Sequence, residues 1–289
     1  MRYYRTAEGA ERRLVAATDD GAYDLTAARR RLDRFRDLAR AASLAGETVD
    51  EVAAGLVDEA EPVDLDAVES TSALPVVPSE VWAAGVTYEI SEQAREAESG
   101  MPEIYLDVYD ADRPEIFFKA TPSRLVGPGD DVGVRADSDW NVPEPELGIV
   151  LYEGEIVGYT IGDDVSSRSI EGKNPLYLPQ AKVYDRSCAL GPCVASTGTV
   201  EDPLDLAMSM EISRDGEVQY REGTSTGEMV RTCEELVDYL TSHNAVPELS
   251  VLLTGTSLVP EDGFTLRPGD RIEIDIEGIG TLVNGTVEV

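Results

Sequence analysis

Residues 142–164 read VPEPELGIVLYEGEIVGYTIGDD, and this stretch constrains the fold more than any other. An apolar run over 147–152 turns at Glu153 and Gly154 and returns over 156–161, which predicts the most apolar β-hairpin of the chain. Acids border it. Glu144 and Glu146 stand two apart, so on a strand both carboxylates point to one face. Pro145 between them donates no ladder hydrogen bond and places the pair at a strand start or edge. The returning strand delivers Asp163 and Asp164 at its end, so two Glu and an Asp are expected to meet near one point. Three convergent carboxylates on a rigid sheet make a hard-oxygen site suited to Mg²⁺ or Mn²⁺. Spacing alone carries little, because with 57 Asp+Glu in 289 residues acid-x-acid triplets arise by chance. The apolar hairpin they border is what singles these acids out.

After Val81 the pattern is β-rich. EIFFK, LGIVLY, IVGYTIG, LSVLLTG, RIEIDI and GTLVNGTVEV are short apolar runs separated by Gly, Pro and acidic turns. One helix interrupts them over 227–242, with Met229, Cys233, Leu236 and Leu240 at helical spacing. Residues 1–20 read as a hairpin with strands at 2–5 and 13–17. Leu32, Phe35 and Leu38 then share one face of a helix over 26–42. A second helix starts at the N-cap Thr48 and buries Val49, Val52, Leu56 and Val57. Residues 60–80, acidic and proline-spotted, read as a linker. The expected fold class is α+β: a small N-terminal α/β domain and linker over 1–78, and a β-dominated body over 79–289.

The formal net charge of −33 repels nucleic acid and anionic membranes, so neither is expected as a partner. The apolar content is too high and too regularly spaced for disorder. The reading is a folded protein for a salty cytoplasm, where screening removes much of the self-repulsion. Cys188, Cys193 and Cys233 are odd in number and lack zinc-type spacing, so buried free thiols are expected. No apolar signal core opens the chain and no run approaches a membrane span, which again predicts a cytoplasmic protein. Lysine is scarce: Lys119, Lys173 and Lys182 are the only three, all in one central stretch. An ammonium differs from a guanidinium in being a compact point charge that can lose its proton near neutral pH. Residues 119–182 are therefore the place to look for chemistry, with Lys173 in the polar GKNP loop expected to be exposed.

PEPELGIVL, then GYTIGDDVSSRS, then QAKVYDRSCALGP resemble the fumarylacetoacetate hydrolase family. That family's pattern is an E-x-E strand, a GY-x-x-x-[ND]-D-x-S-x-R strand end, and a K-x-x-D stretch ending in Gly-Pro. GTSTGEM (223–229), LLTGT (252–256), LRPGD (266–270) and IEGIGTLVN (276–284) match as well, so the resemblance covers 81–289. It implies a fumarylacetoacetate hydrolase-like β-rich body and a divalent ion, Mg²⁺ or alternatively Mn²⁺, held by Glu144, Glu146 and Asp164. It also implies a homodimer or higher homo-oligomer. Within the family, RSIEGKNPLYLPQAKVYDRSCALGP is most similar to the 2-keto-3-deoxy-pentonate dehydratases of archaeal sugar oxidation. That implies a hydro-lyase forming 2,5-dioxopentanoate from a small sugar acid. Hydrolase and decarboxylase relatives carry a lid histidine, partnered by a Glu, shortly after a G-x-x-Y segment. Here Ser91 falls where that histidine would, although Glu89 or Glu92 remains as a stand-in. The lone His243 reads as a cap of the 227–242 helix. An acylpyruvate hydrolase or oxaloacetate decarboxylase of the same family is the alternative, and a non-catalytic ligand-binding member the second.

On the dehydratase reading Lys182 is the base that removes a proton beside the substrate carbonyl. Glu115, ahead of an apolar strand where burial would raise its pKa, donates the proton to the leaving hydroxyl. Lys119 contacts the substrate carboxylate or an acidic neighbour. Thr256, Tyr88 and Ser91 contact substrate. Arg168 holds Asp163 or Asp164 in place, and Asp163 backs the metal ligands.

Overall fold

A computed structural model describes residues 1–8, 11–88, 111–260 and 263–289. The first strands are β1 (Arg2–Glu8), β2 (Glu11–Thr18), β3 (Gly21–Asp24), β4 (Glu61–Val63) and β5 (Ser72–Ala73). Next come β6 (Glu80–Gly85), β7 (Glu115–Ala120), β8 (Leu125–Val126), β9 (Asp131–Val134) and β10 (Asn141–Val142). The predicted hairpin is β11 (Pro145–Tyr152) and β12 (Glu155–Asp164), followed by β13 (Ser166–Ser167) and β14 (Cys188–Ser196). The rest are β15 (Ala207–Arg214), β16 (Glu217–Ser225), β17 (Leu249–Leu253), β18 (Arg271–Ile276) and β19 (Gly280–Glu288).

Twelve strands form one sheet along the path β4-β3-β2-β1-β14-β12-β11-β17-β6-β7, with β5 on β1 and β8 on β14. β16-β15-β18-β19-β9 form a second sheet, and β10 and β13 a two-stranded third. The hairpin lies inside the large sheet, which is covered on both faces. Leu147, Ile149 and Leu151 join a core with Met210, Ile212, Ile272 and Ile274 of the second sheet and Leu236 and Leu240 of the helix Cys233–Thr241. Val150 and Tyr152 point the other way, to Phe35, Leu38 and Ala42 of the helix Phe35–Ala45 and to Val49 and Ala53 of the helix Val49–Val57. A strand covered on both faces reads as a continuous apolar run, which is why 147–152 shows no alternation. Every residue of β11 is buried. The turn is a two-residue one between Tyr152 and Glu155, with Glu153 (φ 52°) and Gly154 (φ 87°) both left-handed, as a twisted hairpin favours.

Residues 1–78 supply the second cover and share the sheet with the body. β1 pairs antiparallel with β14, Tyr3 opposite Val194, and Arg40 forks onto Glu248 through Nε and Nη2, each at 2.7 Å. The expected linker over 60–80 instead holds β4, β5 and the helix Leu65–Ser70. The helix expected over 26–42 is interrupted. Leu25–Ala28 forms one turn and Phe35–Ala45 the helix proper, because Thr26 Oγ1 accepts from Leu14 N–H (2.8 Å) and donates to Leu32 O (2.7 Å). Thr48 caps Val49–Val57, as the sequence predicts, and Glu51 answers it in a reciprocal box. The last predicted helix starts late, at the N-cap Thr232, and closes at Ser242, whose N–H donates to Asp238 O. Met229 therefore precedes it, and His243 lies exposed beyond the cap instead of forming it. The three cysteines are free and buried. Among the described residues no helix is long and apolar enough to cross a membrane.

Candidate active site

Just past the hairpin's open end, β10 and β13 pin the two strands together, Asn141 opposite Ser167 and Val142 opposite Ser166. The chain entering β11 and the chain leaving β12 thus run side by side. Asp164 N–H donates to Glu144 O (2.9 Å), and Glu144 N–H to Asp163 Oδ1 (3.0 Å). One ligand oxygen from each of Glu144, Glu146 and Asp164 lies within 4.8 Å of the others, and all three residues are buried. Asp163, next along the strand, turns its carboxylate to the Glu144 N–H. Burial pushes its pKa up to about 7, against the lowering effect of that hydrogen bond.

Buried carboxylates are costly unless cations or donors meet them. Lys182 ends the helix Leu178–Lys182, and its Nζ donates to Glu144 Oε2, to Asp164 Oδ2 (3.1 Å) and to Ser166 Oγ (2.7 Å), 5.5 Å from the Phe117 ring centroid. Lys119 on β7 pairs with Asp164 Oδ1. Arg168 Nη2 meets Glu144 Oε1 at 2.7 Å. Arg168 thus secures Glu144, where the sequence suggested Asp163 or Asp164, because the short helix Arg168–Glu171 starts beyond β13 and directs it back to the start of β11. Glu146 differs from its neighbours. It accepts the Gly255 N–H (2.7 Å) and makes no ion pair among the described residues. Burial first, then the charges of Asp164 and Glu144, raise its pKa well above the carboxylate range. This donor set fits Mg²⁺: three hard oxygens converge, and the carboxylate lacking an ion pair is the one pressed by two like charges.

The pocket over the acids is lined by Ala84, Gly85 and Val86 at the end of β6, Phe117 of β7, Arg168, Lys182, and Gly255 and Thr256 after β17. Gly255 has φ 82°, and a Cβ there would lie 2.2 Å from Thr87 Oγ1, so only glycine fits this turn. Thr256 is buried in the pocket wall and accepts the Leu258 N–H at 3.0 Å. Glu115 opens β7 opposite Gly85, two residues before Phe117, and is not among the residues that line the pocket. Tyr88 is wholly buried, and burial followed by the Glu146 charge raises its hydroxyl pKa. Ser91, with Glu89 and Glu92, lies outside the described residues. Lys173 is exposed. Sequence reasoning passed over Ser166, Phe117 and Gly255; the signals were the serine after the paired aspartates and the glycine in LLTGT. A larger cavity of about 480 Å³ lies at the hairpin's turn, beside Ala42, Val49 and Tyr152, and no lysine or arginine lines it.

Known proteins resemble this chain in sequence and in fold. The sequence profile of the fumarylacetoacetate (FAA) hydrolase C-terminal family matches residues 80–288. The chain is 63% identical over 289 residues, all of both chains, to a probable 2-keto-3-deoxyxylonate dehydratase of Haloferax volcanii. It is 45% identical over 215 residues, 72% of each chain, to 2-dehydro-3-deoxy-D-arabinonate dehydratase of Saccharolobus solfataricus. The solved structure of 2-keto-3-deoxy-D-arabinonate dehydratase complexed with magnesium and 2,5-dioxopentanoate matches with a TM-score of 0.86 at 34% identity, covering 100% of this chain and 99% of that one.

Proposed function

This chain belongs to the fumarylacetoacetate hydrolase family, and from that premise we propose that it is a Mg²⁺-dependent hydro-lyase converting a 2-keto-3-deoxy-pentonate to 2,5-dioxopentanoate. The observation that carries this reading is the buried trio Glu144, Glu146 and Asp164 with Lys182 Nζ against two of its members. The end-to-end likeness to a dehydratase of this substrate class supports it.

The substrate offers a carboxylate beside a ketone, then a CH₂, then a carbon bearing a hydroxyl. Glu144, Glu146 and Asp164 would hold Mg²⁺, which when bound would supply Lewis-acid stabilisation of negative charge developing on the substrate. Lys182 takes a proton from the CH₂, its Nζ fixed by Glu144, Asp164 and Ser166. Glu144 and Asp164 would be shared between Lys182 and the metal, and a dication beside the amine would favour its basic form. Glu115, which opens β7 opposite Gly85, protonates the hydroxyl, which departs as water. Loss of that hydrogen and hydroxyl leaves a double bond between the third and fourth carbons. Transfer of a proton from the fifth carbon to the third then gives an enol that becomes the terminal aldehyde. Thr256, Tyr88 and Ser91 contact substrate, and Arg168 steadies Glu144 from behind.

In this proposal residues 1–78 cover the sheet while 79–289 carry every site residue. The enzyme works as a homo-oligomer in a salt-rich cytoplasm; the net charge of −33 and the likeness to a Haloferax volcanii protein support the salt. The test is an assay in high salt with Mg²⁺ that offers 2-keto-3-deoxyarabinonate, 2-keto-3-deoxyxylonate and an acylpyruvate side by side. Aldehyde from a pentonate is expected. Acylpyruvate cleavage with both pentonates untouched would overturn the proposal.

A further inference from the structure

We infer that Lys119 is a positioning residue that fixes the metal ligand Asp164 and the base Lys182 against each other and makes no contact with substrate; its catalytic consequence rests on the reaction proposed above. An ammonium has three N–H donors and no acceptor. Lys119 directs its ammonium inward: it donates to Val165 O at 3.0 Å and to Lys182 O at 2.6 Å, and its charge pairs with Asp164 Oδ1. Its side chain is 0% exposed. The Tyr184 ring lies 5.8 Å from Nζ and donates its hydroxyl to the same Val165 O at 3.1 Å. Wholly buried and committed to Asp164, Nζ is out of reach of a substrate carboxylate, which removes one of the two partners the sequence left open.

What these two hydrogen bonds and one ion pair join is specific. Val165 follows β12, and Lys182 ends a helix whose last carbonyls have no partner within the helix. Val183 N–H closes that helix on Pro179 O, and Lys182 O receives Lys119 instead. Asp164 is held between two ammoniums, Oδ1 toward Lys119 and Oδ2 toward Lys182. A single cation from β7 therefore sets a strand end, a metal ligand and the main chain of the base in one arrangement. A planar guanidinium cannot place three donors around a point in this enclosed space. A neutral side chain would leave a buried carboxylate and two buried carbonyls each short of a donor.

The scarcity of lysine permits a test on the unaltered protein. With ¹⁵N-labelled lysine the chain yields three side-chain signals, from Lys119, Lys173 and Lys182, assigned by substituting each in turn. Titration with Mg²⁺ alone should shift the Lys119 signal, because Asp164 is shared. Pyruvate, the smallest 2-keto acid, added in the presence of Mg²⁺ should leave it in place. A response to pyruvate, or none to Mg²⁺, overturns the inference. In Lys119→Met the Kd for Mg²⁺ by calorimetry and the kcat should each worsen by about ten- to a hundredfold. The KM for the pentonate should stay within about threefold of the unaltered enzyme. A raised KM with unchanged kcat and Mg²⁺ affinity would instead assign Lys119 to substrate. If Lys119→Met does not fold, the labelling decides alone. Absence of turnover by the unaltered protein would sink the dehydratase reading while leaving the Mg²⁺ and labelling results interpretable.

Discussion

Two acid-x-acid triplets sit at opposite ends of one hairpin and have opposite fates. Glu144-Pro145-Glu146 leads into β11, and Glu153-Gly154-Glu155 turns it into β12. Their spacing is identical. Glu144 and Glu146 are 3% and 2% exposed and meet Lys182, Arg168 and the Gly255 N–H, whereas Glu153 and Glu155 stand in solvent. At the first end β7, the helix Leu178–Lys182 and the loop after β17 close over the acids and bring cations with them. At the second, the helices Phe35–Ala45 and Val49–Val57 approach, and among the described residues no lysine or arginine lines the cavity there, to which Glu47 and Asp50 add further acids. Desolvation together with convergence readies a carboxylate for a dication, and neither is a property of the triplet.

The sharpest way to break this comparison is Glu146→Gln, which keeps the shape and removes one ligand charge. Turnover should fall by about two to three orders of magnitude, with Mg²⁺ binding weakened in calorimetry. Chelation comes next. EDTA should abolish turnover and lower the melting temperature by several degrees, and Mg²⁺ should restore both, since a ligand bound only by the folded state stabilises it. If Mg²⁺ raised the melting temperature equally in Glu146→Gln, the buried end would not be the metal site. The two left-handed glycines sharpen the contrast further. Gly255→Ala places a Cβ 2.2 Å from Thr87 Oγ1 at φ 82°, and urea melts should show a loss of about 1–3 kcal/mol. Gly154→Asn, at φ 87° with Thr241 Cγ2 no nearer than 3.6 Å, should remain within about 1 kcal/mol, because Asn accepts the left-handed region. The smallest effect belongs to Glu153→Gln with Glu155→Gln, which should leave turnover and melting temperature unchanged. A large loss of activity there would mean that triplet spacing, not burial, selects the functional acids.

Much of this was legible because it was local. The turn at Glu153 and Gly154 followed from its residues, and the helix Val49–Val57 from its N-cap Thr48. The acids bordering β11 and β12 were marked by contrast with the apolar run, and Lys119 and Lys182 by the rarity of lysine. The break after Ala28 was not legible, since Thr26 answers to Leu14 and Leu32 instead of to its own helical neighbours. Nor was the pairing of β1 with β14, or the partner of Arg168, which depends on where β13 releases the chain.

By itself the sequence determined which groups were on hand and how they were spaced along a strand: a pair of glutamates, an aspartate at the return, and a few ammoniums held in reserve. Only the tertiary structure decided which carboxylates lost their water and which cation met each of them. The reason is that desolvation and Coulomb attraction depend on distance through space, and this site is assembled from β7, β11, β12 and the helix Leu178–Lys182, elements that chain order alone does not bring together.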